Sequence, residues 1–340
     1  MTSHLSQTKP TTEQASSGRV SWQQELKEAI RSAAELCQFL HIDPAAICAE
    51  EVDFPVLVPR AFARRIERGN PADPLLKQVL ATASERDDVD GFVTDPIGEE
   101  QAQLAPGILR KYSSRALMIT TGGCAVHCRY CFRRHFPYSE SPSGLEQWRP
   151  SLDAIRADEQ IEEVLLSGGD PLVLPDQRLA QLLAALADIP HLKHVRIHTR
   201  TPVVIPSRIT DSLVDLLKSS RLKVWFVIHA NHANELDGEV FASLSRLQNV
   251  GIPVLNQAVL LKGVNDDEDT LFELCKRLMD VQILPYYLHQ LDSVAGASHF
   301  HVPVEEGRAL IAQIRKRLPG YAVPRYVQEI AGEQSKTVLA

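Results

Sequence analysis

The sequence predicts an α/β fold: an open, partial (βα)6 barrel behind a helical N-terminal extension, with a doubly wound parallel sheet as the alternative. Three observations lead there. From residue 115 onward, apolar runs of strand length alternate with amphipathic stretches of helix length, the pattern of right-handed βαβ units on a parallel sheet. Six such units fall short of the eight that close a barrel. Polar residues also recur at the same end of successive strands, the end where both architectures bind ligands.

Taken in order, residues 1–18 are polar and Ser/Thr-rich and predict a disordered tail. Residues 19–108 predict the helical extension. Within 22–40, Leu26, Ile30, Ala33, Leu36, Cys37 and Leu40 fall near one helical face. Pro44, Pro55, Pro59, Pro71 and Pro74 then punctuate short helical segments up to about residue 84. Residues 109–340 predict the barrel with a C-terminal segment. Its strands are expected at 116–121, 163–167, 194–199, 224–230, 254–260 and 282–288. Helices are expected near 151–158, 177–187, 207–219, 238–249, 268–279 and 304–317.

Hydrophobic residues make up 44% of the chain and charged residues 23%, which excludes a wholly disordered chain. No run approaches the ~20 apolar residues of a membrane span, and the N-terminus has no apolar signal core. The expected location is cytoplasmic. The formal net charge of −7 gives no bulk signal for nucleic acid. The distribution is uneven, however. Between Gln101 and Ser139 there is no acid, while Arg110, Lys111, Arg115, Arg129, Arg133 and Arg134 give +6. That stretch predicts an anionic partner.

Of six cysteines, Cys37, Cys48 and Cys275 sit among apolar neighbours and read as core. The other three, Cys124, Cys128 and Cys131, lie in GGCAVHCRYCFRRHF after the first barrel strand, spaced C-x3-C-x2-C. Clustered thiols in a reducing compartment point to metal or catalysis. Zinc wants four ligands, and His127 or His135 offers the fourth. Three cysteines also suit a [4Fe–4S] cluster that keeps one iron open for S-adenosylmethionine. Placement in the first βα loop favours the cluster, with Tyr130 able to pack on an adenine ring.

C-x3-C-x2-C with an aromatic before the last cysteine resembles the signature of the radical S-adenosylmethionine superfamily. The fuller string CRYCFRRHF, with KYSSR upstream and SGGDPL downstream, resembles the lysine 2,3-aminomutase family over roughly residues 90–340. The ending EIAGEQSKT is similar to the branch that makes β-lysine for modifying elongation factor P. The fold implied is the partial barrel of the radical S-adenosylmethionine type. The cofactors implied are the [4Fe–4S] cluster, S-adenosylmethionine and pyridoxal phosphate. The reaction implied moves the amino group of L-lysine from the α- to the β-carbon after a 5′-deoxyadenosyl radical removes hydrogen. The product would pass to a ligase acting on elongation factor P.

The resemblance also implies residue roles. Lys336 matches the lysine that holds the resting pyridoxal phosphate; read without the resemblance it is an ordinary tail lysine, and AGEQS replaces the usual glycine run before it. Lys111, Tyr112 and Arg115 match the phosphate and ring contacts. Gly168, Gly169 and Asp170 match the loop that lines the amino-acid part of S-adenosylmethionine, with His229 and Gln257 as further contacts. Arg133 matches the arginine that receives the substrate carboxylate. Asp292 and Glu329 match the two acids for the ε-ammonium, with glutamate where the family has aspartate. Two alternatives remain: a catabolic lysine 2,3-aminomutase, whose known members continue past the lysine, and a zinc-stabilised RNA-binding module using the basic stretch, with His135, Phe136 and Tyr138 for stacking.

Overall fold

The computed structural model describes residues 20–47, 52–137, 142 and 144–340; the predicted tail, Cys48 and Tyr138 lie outside these residues. The ten strands among the described residues join one sheet, in chain order. The six expected strands are β3 (Arg115–Thr121), β4 (Glu163–Gly168), β5 (His194–Thr199), β6 (Lys223–His229), β7 (Val254–Val259) and β8 (Leu284–His289). Each pairs in parallel with the next. A seventh parallel strand, β9 (Arg325–Gln328), follows β8. The sheet begins earlier than expected: β1 (Gln103–Ala105) and β2 (Ile108–Leu109) add antiparallel on the β3 side. It ends with β10 (Thr337–Val338), antiparallel to β9. The two edges do not pair, so the sheet is open.

Alternation along the strands divides the molecule into a core and a cavity. Val164, Leu166, Val195, Ile197, Phe226 and Ile228 point to the outer helices and are buried there with Leu182, Leu244, Leu278 and Ile311. Their neighbours in sequence, among them Ser167, Arg196, His198, His229, Gln257 and His289, border a cavity on the other face. The helices run Leu145–Ala157, Asp176–Ala187, Asp211–Ser219, Gly238–Gln248, Glu268–Asp280 and Val304–Ile314. The first starts six residues before its predicted beginning and carries Pro150 inside it. Buried Trp148 anchors that earlier start, its indole N–H donating to Thr120 O at 3.1 Å.

The extension is short helices, Trp22–Lys27, Ala33–Leu40, Arg60–Ala63 and Pro74–Lys77, joined by turns. Ala33, Leu36, Cys37 and Leu40 are buried on one helical face as the periodicity predicts, but the helical pattern expected over 22–40 breaks after Lys27, and Ile30 is buried in an isolated β-bridge with Val58. They form a second core with Phe62, Leu75 and Leu76 that also takes in Ala125 and Val126 of the cysteine loop and Val204 and Ile205 after β5. The extension therefore packs on the cysteine loop itself. Its polar contacts do the same. His127 N donates to Leu57 O at 3.0 Å, and Arg129 N to Gln78 O at 2.9 Å. Arg129 and Arg134 share the carboxylate of Glu85, with Arg129 Nε 2.7 Å from Oε1. Arg129 and Glu85 are 0% and 1% exposed.

At the top of the sheet the loops after β3 and β4 touch. Gly169 N donates to Thr121 O at 2.8 Å, and Asp170 N to Gly123 O at 2.7 Å. A Cβ on Gly169 would stand 2.0 Å from Gly123 O, and one on Gly168, at φ +120°, 2.6 Å from Thr121 O. The two glycines are required by this approach of backbone to backbone.

Two outcomes follow. Glu85→Gln leaves two buried guanidinium groups short of their counter-charge. It is expected to lower the unfolding free energy by about 3–5 kcal/mol, read as a lower urea midpoint. Gly169→Ala forces the two loops apart and is expected to cost about 3 kcal/mol or more, with loss of bound iron after anaerobic reconstitution. A Gly169→Ala protein with the wild-type midpoint and full iron would refute the steric argument.

Candidate active site

One cavity at the C-terminal ends of the parallel strands is bordered by every residue to which the family resemblance gives a role, whereas His135 and Phe136 do not border it. Glu329 and Lys336, about two hundred residues after Cys124, Cys128 and Cys131, line the same space because β9 lies beside β8.

Burial pushes Cys131 up to about 12 and Cys124 well up, and neighbouring Cys128 adds to both. Bare thiolates are therefore disfavoured at Cys124 and Cys131, and a cationic metal centre is what holds such sulfurs deprotonated. Arg200 Nη1 already lies 2.8 Å from Cys128 Sγ. The donor set thus fits a thiolate-bound iron–sulfur cluster. The zinc alternative lacks its fourth ligand. His127 Nδ1 is bonded to Pro55 O at 2.8 Å and its ring stacks on Phe54, while His135 Nε2 is bonded to Ala295 O at 3.0 Å. Among the described residues no three His, Cys, Asp or Glu side chains converge on a single-ion site.

Lys336 Nζ pairs with Glu329 Oε2, and Lys111 Nζ pairs with Glu329 Oε1 at 3.1 Å. Burial opposes the Glu329 charge, but Lys336 and Lys111 outweigh it and hold the carboxyl below its ordinary range. Arg115 lies over the Tyr112 ring at 3.8 Å. Among the described residues it has no carboxylate partner, unlike the other cations of the basic stretch. Arg110 pairs with Asp158, Lys111 with Glu329, Arg129 and Arg134 with Glu85, and Arg133 with Glu99. The anion expected for that stretch is therefore largely the chain's own carboxylates. These cations turn inward, and the RNA-binding alternative loses its basic face. The lysine amine, with Lys111, Tyr112 and Arg115 on the same cavity, suits a phosphate-bearing aldehyde such as pyridoxal phosphate.

Asp292 is the unsatisfied acid of the cavity. Its Oδ1 is buried without a hydrogen bond, and burial raises its pKa to about 7. Lys336 and Lys111 pull the value down; Glu329 and Glu99 push it up. Arg133 is 5% exposed and grips Glu99 bidentately, Nε to Oε2 at 2.7 Å and Nη2 to Oε1 at 2.6 Å. Its Nη1 donates to Ser167 Oγ at 2.9 Å. The fork expected to receive a carboxylate is thus seated on one already.

Asp170 is spent within the protein. Oδ1 accepts from Leu172 N at 2.9 Å and Thr199 Oγ1 at 2.7 Å; Oδ2 accepts from Arg200 N at 2.7 Å and Thr201 N at 3.0 Å. It ties β4 to β5, and its loop offers a ligand mainly backbone groups. Tyr130 packs edge-on to Phe300, and its hydroxyl accepts from Arg200 Nη1 at 2.6 Å and Asn231 Nδ2 at 2.7 Å. Gln257 borders the cavity beside Tyr287, its partner in register on β8. His229, with an unbonded Nε2, is pushed down to about 3 by burial and then by Arg200. His198 and His289 also have unbonded Nε2 atoms and are held well below the ordinary range by burial first. All three imidazoles are neutral. His198, His289 and Arg200 stand at strand ends, a signal visible in the sequence. Glu99, Gln78 and Glu235 have no local signal, since each meets its partner only through the fold.

No helix among the described residues is long and apolar enough to cross a membrane. The profile of the Radical SAM superfamily matches residues 118–275. L-lysine 2,3-aminomutase of Escherichia coli (strain K12) is 45% identical over 326 residues, covering 94% of this chain and 95% of that one. L-lysine 2,3-aminomutase of Haemophilus influenzae is 47% identical over 324 residues, again 94% and 95%. L-lysine 2,3-aminomutase of Clostridium subterminale is 35% identical over 322 residues, covering 93% of this chain and 77% of that one. With three thiols, a carboxylate-bridged lysine pair and an unsatisfied acid around one cavity, and with the first two relatives this similar over nearly their whole length, the chain belongs to the lysine 2,3-aminomutase family of radical S-adenosylmethionine enzymes, isomerases that use a [4Fe–4S] cluster, S-adenosylmethionine and pyridoxal phosphate.

Proposed function

We propose that this enzyme converts L-α-lysine to β-lysine, and that the product is passed to a ligase acting on elongation factor P. The observation that carries the substrate is Asp292: a buried carboxylate with an unbonded oxygen, in the same cavity as Lys336 and the three cysteines. A buried acid of this kind is costly until a cation reaches it, and lysine's ε-ammonium is such a cation.

When bound, the cluster with S-adenosylmethionine supplies a hydrogen-abstracting radical, and pyridoxal phosphate supplies the carbonyl that holds the substrate's α-amino group. The protein's own residues do the rest. Cys124, Cys128 and Cys131 would hold the cluster, Arg115, Lys111 and Tyr112 the phosphate pole, and Lys336 the resting cofactor. Asp292, with its unbonded oxygen, receives the substrate's ε-ammonium. Arg133 takes the substrate carboxylate by sharing or releasing Glu99. The neutral His198, His229 and His289 keep this part of the wall polar without adding charge. The walls exclude water from the reacting atoms. The elongation factor P assignment is supported by the likeness of EIAGEQSKT to that branch.

Anaerobic reconstitution with iron, sulfide and pyridoxal phosphate tests the reaction. After addition of dithionite, S-adenosylmethionine and L-lysine, mass spectrometry is expected to find β-lysine from the wild type and none from Lys336→Ala or Cys128→Ala. Cleavage of S-adenosylmethionine without β-lysine would defeat the substrate assignment. The charged Asp292 binds an ammonium and the protonated acid does not. KM for lysine is therefore expected to rise as pH falls through about 7. Asp292→Asn is expected to raise KM about 10- to 100-fold and to abolish that limb. An unchanged pH limb in this variant would assign it to another group.

A further inference from the structure

We propose that Arg200 tunes the reduction potential of the cluster by donating a charged hydrogen bond to the sulfur of Cys128. Arg200 follows β5, and its side chain is 5% exposed. Nη1 lies 2.8 Å from Cys128 Sγ and 2.6 Å from Tyr130 Oη. Nη2 donates to Gln78 Oε1 at 2.7 Å and to Glu235 Oε2 at 2.9 Å. The guanidinium is thus aimed by acceptors on opposite sides, and those acceptors are themselves fixed. Gln78 Nε2 donates to Glu235 Oε1 at 3.1 Å, and Asn231 Nδ2 donates to Gln78 Oε1 at 2.9 Å and to Tyr130 Oη at 2.7 Å. Phe62 and Tyr130 rings each lie 5.5 Å from the guanidinium carbon and keep water away.

A donor at a ligating sulfur draws electron density from it. The reduced cluster carries one more negative charge than the oxidised one, so a cationic donor stabilises the reduced state and raises the potential. Glu235, 0% exposed, offsets part of the arginine's charge. The pair gives two settings of opposite sign: removing the arginine's charge should make reduction harder, and removing the glutamate's should make it easier. Gln78 belongs to the N-terminal extension, so the extension takes part in aiming the donor. Arg200 is a positioning residue in this account; it touches the ligand sulfur and not the reacting atoms.

The test is an EPR-monitored potentiometric titration of the reconstituted enzyme, with dithionite as reductant. The wild type is compared with Arg200→Met, Arg200→Lys and Glu235→Gln, with iron and acid-labile sulfide measured per chain. The midpoint is expected to move negative in Arg200→Met, less so in Arg200→Lys, and positive in Glu235→Gln. A general loosening of the loop would not move the two positions in opposite directions. Wild-type midpoints in fully loaded variants, or shifts of the same sign at both positions, would overturn the proposal. If Arg200→Met takes up no cluster, Arg200→Lys and Glu235→Gln decide by the same criterion. The proposal rests on a cluster bound by the three cysteines. A wild type that takes up no four-iron cluster would defeat that reading, whereas a loaded wild type with unshifted variants defeats this one alone.

Discussion

Burying the arginines of the cysteine loop is the constraint on which the rest of the structure depends. Arg129, Arg133 and Arg134 lie within six residues and are almost wholly buried. A buried cation persists only with a partner and satisfied hydrogen bonds. The partners come from before the sheet: Glu85 for Arg129 and Arg134, Glu99 for Arg133. Backbone carbonyls of Phe54 and Pro55 take further donors of Arg129. The extension is therefore the counter-charge and wall of the cysteine loop. That loop contains no acid of its own, so without the extension its charges would have to face solvent and the loop would have to open.

The same loop is fixed from the other side by the strand ends. Gly168 and Gly169 let the β4 loop lie directly on Thr121 and Gly123, and Asp170 then reaches the end of β5 through three hydrogen bonds. Arg200, whose backbone N–H is one of those donors, returns to Cys128. The circuit runs from the cysteines through the glycines and the aspartate to the arginine and back. Each member is where it is because parallel strands deliver their C-terminal ends to one side. Chemistry and rigidity come from the same contacts, so Gly168, Gly169 and Asp170, which the resemblance assigns to a ligand, are also structural elements in their own right.

Local periodicity made the six long strands legible, and strand-end polarity made the cavity legible before any coordinates. Even Lys336, which the family pattern alone singled out, borders that cavity. The β9 strand escaped because Arg325–Gln328 is too short for alternation to register, and β1 and β2 are shorter still. The charge partners escaped for a different reason. Glu85 meets Arg129 across 44 residues, and Gln78 meets Arg200 across 122. No local spacing encodes such a pair. The acid-free stretch from Gln101 to Ser139 does signal that counter-charges must come from elsewhere, and the structure shows that most of them come from within the chain.

The cavity's charges also explain why a glutamate suits position 329. Its longer side chain reaches two lysines at once, Lys111 with one oxygen and Lys336 with the other. That leaves Asp292 as the acid with spare capacity. Two lysines on one carboxylate leave none for the second, and Asp292 Oδ1 is buried without a hydrogen bond. A diffusible ammonium is the partner that the protein does not supply. Preference for a diamino acid over one with an uncharged side chain then needs no large apolar pocket. It follows from the cost of leaving a buried carboxylate unpaired, a cost that an uncharged side chain cannot offset.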